Sequence, residues 1–263
     1  MSKMQPVTGS EELSYSMQHV CAIARQAGEA IMQIYQGEIE VEMKDDKSPL
    51  TAADKASHEV IEKGLREQFP DIPTLSEEGK DIPYEERKNW QHFWLVDPLD
   101  GTKEFVKRNG EFTVNIALIE GQSTVAGVVY VPAQDKLYLG IKGEGAWLQQ
   151  GEGPFVPISV REPDPEKGLT VVMSRSHPSP ELEEYLKTIK VADAVSVGSS
   201  LKFCVVAEGE ADLYPRLGPT MEWDTAAGQA VAEAAGATVK QLSGESLLYN
   251  KQGLLNPYFI VST

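Results

Sequence analysis

Positive charge is what this chain most lacks: 24 Lys+Arg stand against 40 Asp+Glu in 263 residues, a formal net charge of −16. Non-specific binding to nucleic acid or to an anionic membrane needs a basic patch, so neither is expected. Cysteine is nearly absent. Cys21 and Cys204, the only two, sit in apolar, helix-like contexts without metal-ligand spacing. They read as buried small side chains of a protein from a reducing compartment, the cytoplasm. Of the four histidines, His19, His58 and His92 have no spacing that would gather a metal. No apolar run approaches the roughly 18 residues of a membrane span, and the leading MSKMQPVTGSEEL lacks the apolar stretch of a secretory signal. Neither of the glycine-rich phosphate loops used by nucleotide-binding proteins is present.

What is present is an ordinary globular composition, 41% hydrophobic and 24% charged, with length enough for a full core without staples. Leu13, Met17, Val20, Ile23, Ala27, Ile31 and Ile34 recur at helical spacing and stop before Gly37. Thr51-Ala-Ala-Asp54 reads as a capping box, with Asp in place of Glu, opening a second helix that runs to about Phe69. Residues 92–97, 112–120, 124–132, 136–141 and 145–149 read as successive strands joined by short turns, an antiparallel sheet packed by the two early helices. Beyond GEGPFVP (151–157) strands and helices alternate, which sets the expected division into subdomains 1–152 and 153–263.

Chemistry concentrates where carboxylates are embedded in apolar sequence. In WLVDPLDGT (94–102), Asp97 and Asp100 close a buried strand, Pro98 is expected to force a turn, and Gly101 permits close backbone approach. Carboxylates at such a place must be paired, protonated or bound to a metal, unless they belong to an Asx-type turn with solvated side chains. Carboxylates and a backbone carbonyl are the ligands that hard cations such as Mg²⁺ prefer. Glu77-Glu78 and Trp223-Asp224 are two further acidic points; alone, the first reads as a solvated loop and Asp224 as a helix cap.

Taken in order, Glu77-Glu78, Asp97-Pro-Leu-Asp100-Gly-Thr102 and Trp223-Asp224-x-Ala226 resemble the inositol monophosphatase superfamily of Mg²⁺-dependent, lithium-sensitive phosphomonoesterases. SRSH (174–177), GSSLKFC (198–204) and ADLYPRLGPTMEWDTAAG (211–228) resemble its 3'(2'),5'-bisphosphate nucleotidase branch. The resemblance implies an α/β fold of mixed α+β character, a layered αβαβα sandwich. It implies that Glu77, Asp97, the carbonyl of Leu99, Asp100 and Asp224 hold two or three Mg²⁺ ions. It also implies that Asp54 and Thr102, otherwise a capping carboxylate and a helix N-cap, orient and deprotonate the attacking water. The amides of Gly101 and Thr102 would face the phosphate. Ser174, His177, Ser199, Lys202 and Arg216 are the expected specificity residues, the last two for a non-reacting phosphate. Arg175 lies in the same turn as His177.

The implied reaction is removal of the 3'-phosphate of adenosine 3',5'-bisphosphate, and of the corresponding phosphosulfate, in sulfur assimilation. Peripheral association with the cytoplasmic face of the inner membrane is a further expectation from the resemblance. An inositol or sugar phosphatase shares the same metal residues and is the alternative; a non-catalytic metal- or nucleotide-binding protein is a second. A haloacid-dehalogenase phosphatase is excluded by spacing, since its Asp-x-Asp pair is separated by one residue and Asp97 and Asp100 by two.

Overall fold

The computed structural model describes residues 10–37, 41–43, 49–164, 166–174 and 180–263. In chain order the elements are α1 (Ser10–Tyr35), β1 (Val41–Met43), β2 (Pro49–Thr51), α2 (Ala52–Gln68), β3 (Thr74–Ser76), α3 (Tyr84–Arg87), β4 (His92–Asp100) and α4 (Thr102–Val106). There follow β5 (Thr113–Glu120), β6 (Ser123–Val131), β7 (Lys136–Ile141), β8 (Gly145–Gln150), β9 (Phe155–Ile158), β10 (Leu169–Ser174), α5 (Pro180–Leu186) and β11 (Val191–Val197). The chain closes with α6 (Leu201–Ala207), β12 (Leu213–Arg216), α7 (Glu222–Ala234), β13 (Thr238–Gln241) and β14 (Phe259–Ser262).

The larger sheet has seven strands in the order β3-β4-β5-β6-β7-β8-β9, and all its pairs are antiparallel except β3 with β4. β9 carries this sheet to Ile158, beyond the expected break after residue 152. Strand alternation gives each face its own core. On β5, Val114, Ile116 and Leu118 pack with Met17, Val20, Ile23 and Ile31 of α1 and Ile61 and Leu65 of α2. Ala117 and Ile119 face the other way, with Phe203 and Val206 of α6 and Ala227 and Val231 of α7.

The second sheet is ordered β11-β10-β12-β14-β13 and is parallel only among β11, β10 and β12. Its Val172, Tyr214, Phe259 and Val261 close the same core from the far side of α6 and α7. α5 leads from β10 to β11, and α6 leads back past β10 to β12. Right-handed crossovers, the rule for parallel strands, place the two helices on opposite faces of this sheet; α6 packs into the core with α7, which leaves the outer face for α5. The layers therefore run α, β, α, β, α.

Small residues set how deeply α7 sits. Its EWDTAAGQAVAEA carries mostly alanine and glycine toward the sheet. A Cβ on Gly127 of β6 would stand 2.7 Å from Ala227 O, and one on Gly140 of β7 would stand 2.5 Å from Val231 Cα. Side chains at either place would lift α7, and with it the residues at its N-terminus.

Candidate active site

β3 and β4 are parallel, with Ser76 opposite Val96, so both deliver their C-terminal ends to one place. Glu77 leaves β3 there, its amide donating to Val96 O at 3.1 Å. β4 does not end at the turn expected at Pro98. It continues to Asp100 through a bulge: Asp97 is opposite Asn115, and Asp100 is opposite Thr113. Three steps on β4 thus match two on β5. In a regular strand residues three apart point to opposite faces, and the extra residue restores Asp100 to the face of Asp97. Pro98, which has no N–H to give a ladder, occupies the bulge, and its carbonyl accepts from Ser57 Oγ at 2.7 Å.

The Asx turn weighed as an alternative does form, with Leu99 N donating to Asp97 Oδ1 at 3.0 Å. Solvation does not follow from it, because Asp97 is only 1% exposed. Asp224 enters from the first turn of α7, where its Oδ2 accepts from Met221 N at 2.8 Å. One carboxylate oxygen each of Glu77, Asp97 and Asp224 lies within 4.8 Å of the others.

Asp100 is tied to the same group through two serines at the entrance to α6. Ser199 Oγ donates to Asp100 Oδ2 at 2.6 Å and lies 2.6 Å from Thr113 Oγ1. Ser199 is held in the left-handed region at φ 53°, a conformation most non-glycine residues avoid. Ser200 Oγ lies 2.9 Å from Asp100 Oδ2 and 2.8 Å from Asp224 O, and accepts from Asn115 Nδ2 at 2.9 Å. Gly101 follows at φ 85°, a conformation glycine adopts without steric cost, and starts the five-residue α4.

These carboxylates cannot all remain ionised unaided. Burial first, then the charges of Glu77, Asp100, Asp224 and Asp54, push the Asp97 carboxyl well above the usual carboxylate range. Burial and Asp100 do the same to Asp224, against the Met221 amide. Asn115 Oδ1, on the strand beside Asp97, is buried without a hydrogen-bond partner in the structure. An all-oxygen set of converging carboxylates short of positive charge suits a hard divalent cation such as Mg²⁺.

The remaining expected residues divide. Asp54 and Thr102 meet, Thr102 Oγ1 donating to Asp54 Oδ1 at 3.3 Å, a long bond of the kind that tightens when a substrate is bound. Ser174 ends β10, opposite Val197 of β11, two residues from Ser199. Lys202 is 6% exposed, donates to Ser199 O and lies 5.8 Å from the Tyr214 ring centroid. Burial draws its ammonium down to about 8, while Asp100 opposes that and Arg216 adds to it. Arg216 ends β12; one of its Nη atoms donates to Pro219 O at 2.8 Å, and its buried Nε has no partner among the described residues. His177 and Arg175 lie outside the described residues.

His19, His58 and His92 are half-buried; His58 bonds Ser76 Oγ at 3.0 Å, and His92 approaches Glu120 at 3.3 Å. Cys21 and Cys204 are free and buried. Among the described residues no helix is long and apolar enough to cross a membrane. Ser200 and Asn115 were not anticipated. Asn115 had a signal, a lone amide in the apolar run TVNIALI; Ser200 had none to separate it from its neighbour.

A family model for the inositol monophosphatase family matches residues 12–258. The CysQ 3'(2'),5'-bisphosphate nucleotidases of Salmonella typhimurium strain LT2 and Escherichia coli strain K12 are each 54% identical to this chain, over 94% of its length and 99% of theirs. The crystal structure of CysQ from Bacteroides thetaiotaomicron is similar with a TM-score of 0.83 and 44% identity, covering 95% of this chain and 98% of that one. The carboxylate cluster therefore sits in a fold shared with the Bacteroides thetaiotaomicron protein over 95% of this chain, and the chain belongs to the inositol monophosphatase family.

Proposed function

We propose that the protein is a Mg²⁺-dependent 3'(2'),5'-bisphosphate nucleotidase that removes the 3'-phosphate of adenosine 3',5'-bisphosphate to give AMP and phosphate. The observation that carries the chemistry is the convergence of Glu77, Asp97 and Asp224 within 4.8 Å, with Asp97 buried. Identity of 54% along nearly the whole of nucleotidases from two bacteria supports the substrate. The reaction recycles a by-product of sulfate assimilation, and the corresponding phosphosulfate is a second substrate. The protein works in the cytoplasm, with peripheral attachment to the inner membrane part of the same reading.

Glu77, Asp97, the Leu99 carbonyl, Asp100 and Asp224 would hold two or three Mg²⁺. Bound there, Mg²⁺ supplies positive charge to an otherwise acidic site and makes water acidic enough to attack phosphorus at neutral pH. The chain's own residues manage the proton. Thr102 accepts the proton of the attacking water as its own passes to Asp54 Oδ1, the oxygen it already faces. The Gly101 and Thr102 amides face the reacting phosphate. The orphaned Arg216 Nε and the nearby Lys202 ammonium are the groups for the 5'-phosphate, and Ser174, His177 and Ser199 surround the nucleoside.

Phosphorus NMR of adenosine 3',5'-bisphosphate incubated with the protein and Mg²⁺ tests this. The 3'-phosphate resonance should give way to inorganic phosphate while the 5'-phosphate of AMP persists. Loss of the 5'-phosphate, or no hydrolysis by a protein that cleaves inositol 1-phosphate, would replace the assignment with an inositol or sugar phosphatase.

A further inference from the structure

We propose that Thr51 is a positioning residue for the Asp54–Thr102 pair, making the proton-accepting unit a chain of three. The proposal rests on the reading of that pair given above. The two carboxylate oxygens of Asp54 are used differently. Oδ2 accepts from Thr51 N at 2.8 Å and from Thr51 Oγ1 at 2.7 Å, whereas Oδ1 faces Thr102 Oγ1 at 3.3 Å. The Thr51 hydroxyl accepts from Ala53 N at 3.2 Å, which directs its single proton toward Asp54. Thr51 and Asp54 are each 2% exposed, so water cannot easily replace these bonds.

The capping box that these residues close at the start of α2 normally uses Glu or Gln at its third helical position. Here the acid is one methylene shorter. Aspartate has only two side-chain torsions, so pinning Oδ2 with two donors fixes the direction of Oδ1. A helix cap alone would require none of this agreement with a hydroxyl 48 residues away in sequence.

The test compares Thr51→Val, Thr51→Gly and Thr51→Ser with wild type, and repeats Thr51→Val in an Asp54→Asn background. Glycine is a tolerated N-cap and keeps the helix start, so the test stands even where the valine variant does not fold. The readouts are kcat and KM on adenosine 3',5'-bisphosphate, the urea midpoint, and Mg²⁺ binding by calorimetry. Thr51→Val and Thr51→Gly should lower kcat by roughly 10–100-fold, the effect of one hydrogen bond to a carboxylate. KM and Mg²⁺ affinity should stay within about twofold of wild type. Thr51→Ser should restore kcat, and Thr51→Val should cost nothing more once Asp54 is Asn. A folded Thr51 variant with normal kcat, beside an inactive Asp54→Asn, would reduce Thr51 to a cap and overturn the proposal alone. Normal kcat in Asp54→Asn would overturn the reading of the pair itself. Equal losses from Thr51→Val in both backgrounds would also contradict the proposal, since Thr51 would then act independently of Asp54.

Discussion

On the proposed function, Asp97 is unfavourable for stability and needed for chemistry. It is 1% exposed, with the charges of Glu77, Asp100 and Asp224 close by. Asp97→Asn should therefore leave the metal-free fold at least as resistant to urea as wild type. It should lower turnover by at least roughly 10³-fold and abolish the stabilisation that added Mg²⁺ gives the wild type. Urea titrations in EDTA and in Mg²⁺, with one activity assay, check all three. Lys202 makes a prediction in pH. Its buried ammonium titrates near 8, and an amine loses its charge as pH rises through that value. Attraction for the 5'-phosphate should then be present below pH 8 and fade above it. The alkaline limb of kcat/KM on adenosine 3',5'-bisphosphate should bend near 8 in wild type and lose that bend in Lys202→Ala. The variant itself should lose roughly 10–150-fold on the bisphosphate, the worth of a charge-assisted hydrogen bond. Hydrolysis of 3'-AMP, which lacks the second phosphate, should change little.

Elements convert these side chains into a site through two devices, the bulge in β4 and the close seat of α7. The seat is testable. With Val231 Cα 2.5 Å from the place a Cβ would occupy, Gly140→Ala should destabilise the fold by about 1–3 kcal/mol, the usual cost of overpacking. It should also weaken Mg²⁺ binding, because Asp224 rides on the displaced helix; thermal melts with and without Mg²⁺ measure both. Much at this scale was legible beforehand. The two early helices, the run from β5 to β8 and the Thr51–Asp54 capping box carry strong periodic or capping signals. β3, β9, β13 and β14 were not read as strands: each spans only three or four residues, too few for alternation to declare itself. Pro98 misled, because a proline normally ends a strand and only the pairing with Asn115 and Thr113 reveals a bulge. The carboxylates of the site were legible from their burial in apolar sequence and from their order. The hydroxyls of Ser199 and Ser200, which aim Asp100, became meaningful only through contacts between the two sheets, whereas Thr51 was legible as a cap but not as a neighbour of the Asp54–Thr102 pair.

At the scale of the molecule, the puzzle is how a chain of net charge −16 handles a substrate with two phosphates. Four acidic groups are gathered at one place: Glu77 and Asp97 come from the larger sheet, Asp224 from α7 between the sheets, and Asp100 is held by serines leading into α6. On the function proposed above, divalent ions would reverse the sign where phosphate must sit. Selectivity then falls to the groups beyond the metals, and one comparison weighs it most directly. Phosphate release should be measured in Mg²⁺ with adenosine 3',5'-bisphosphate, inositol 1-phosphate and fructose 1,6-bisphosphate as substrates, with an EDTA control. The expected result is a kcat/KM for the bisphosphate nucleotide at least about tenfold above the others, with release falling to background in EDTA. Preference for inositol 1-phosphate, or undiminished release in EDTA, would contradict the account.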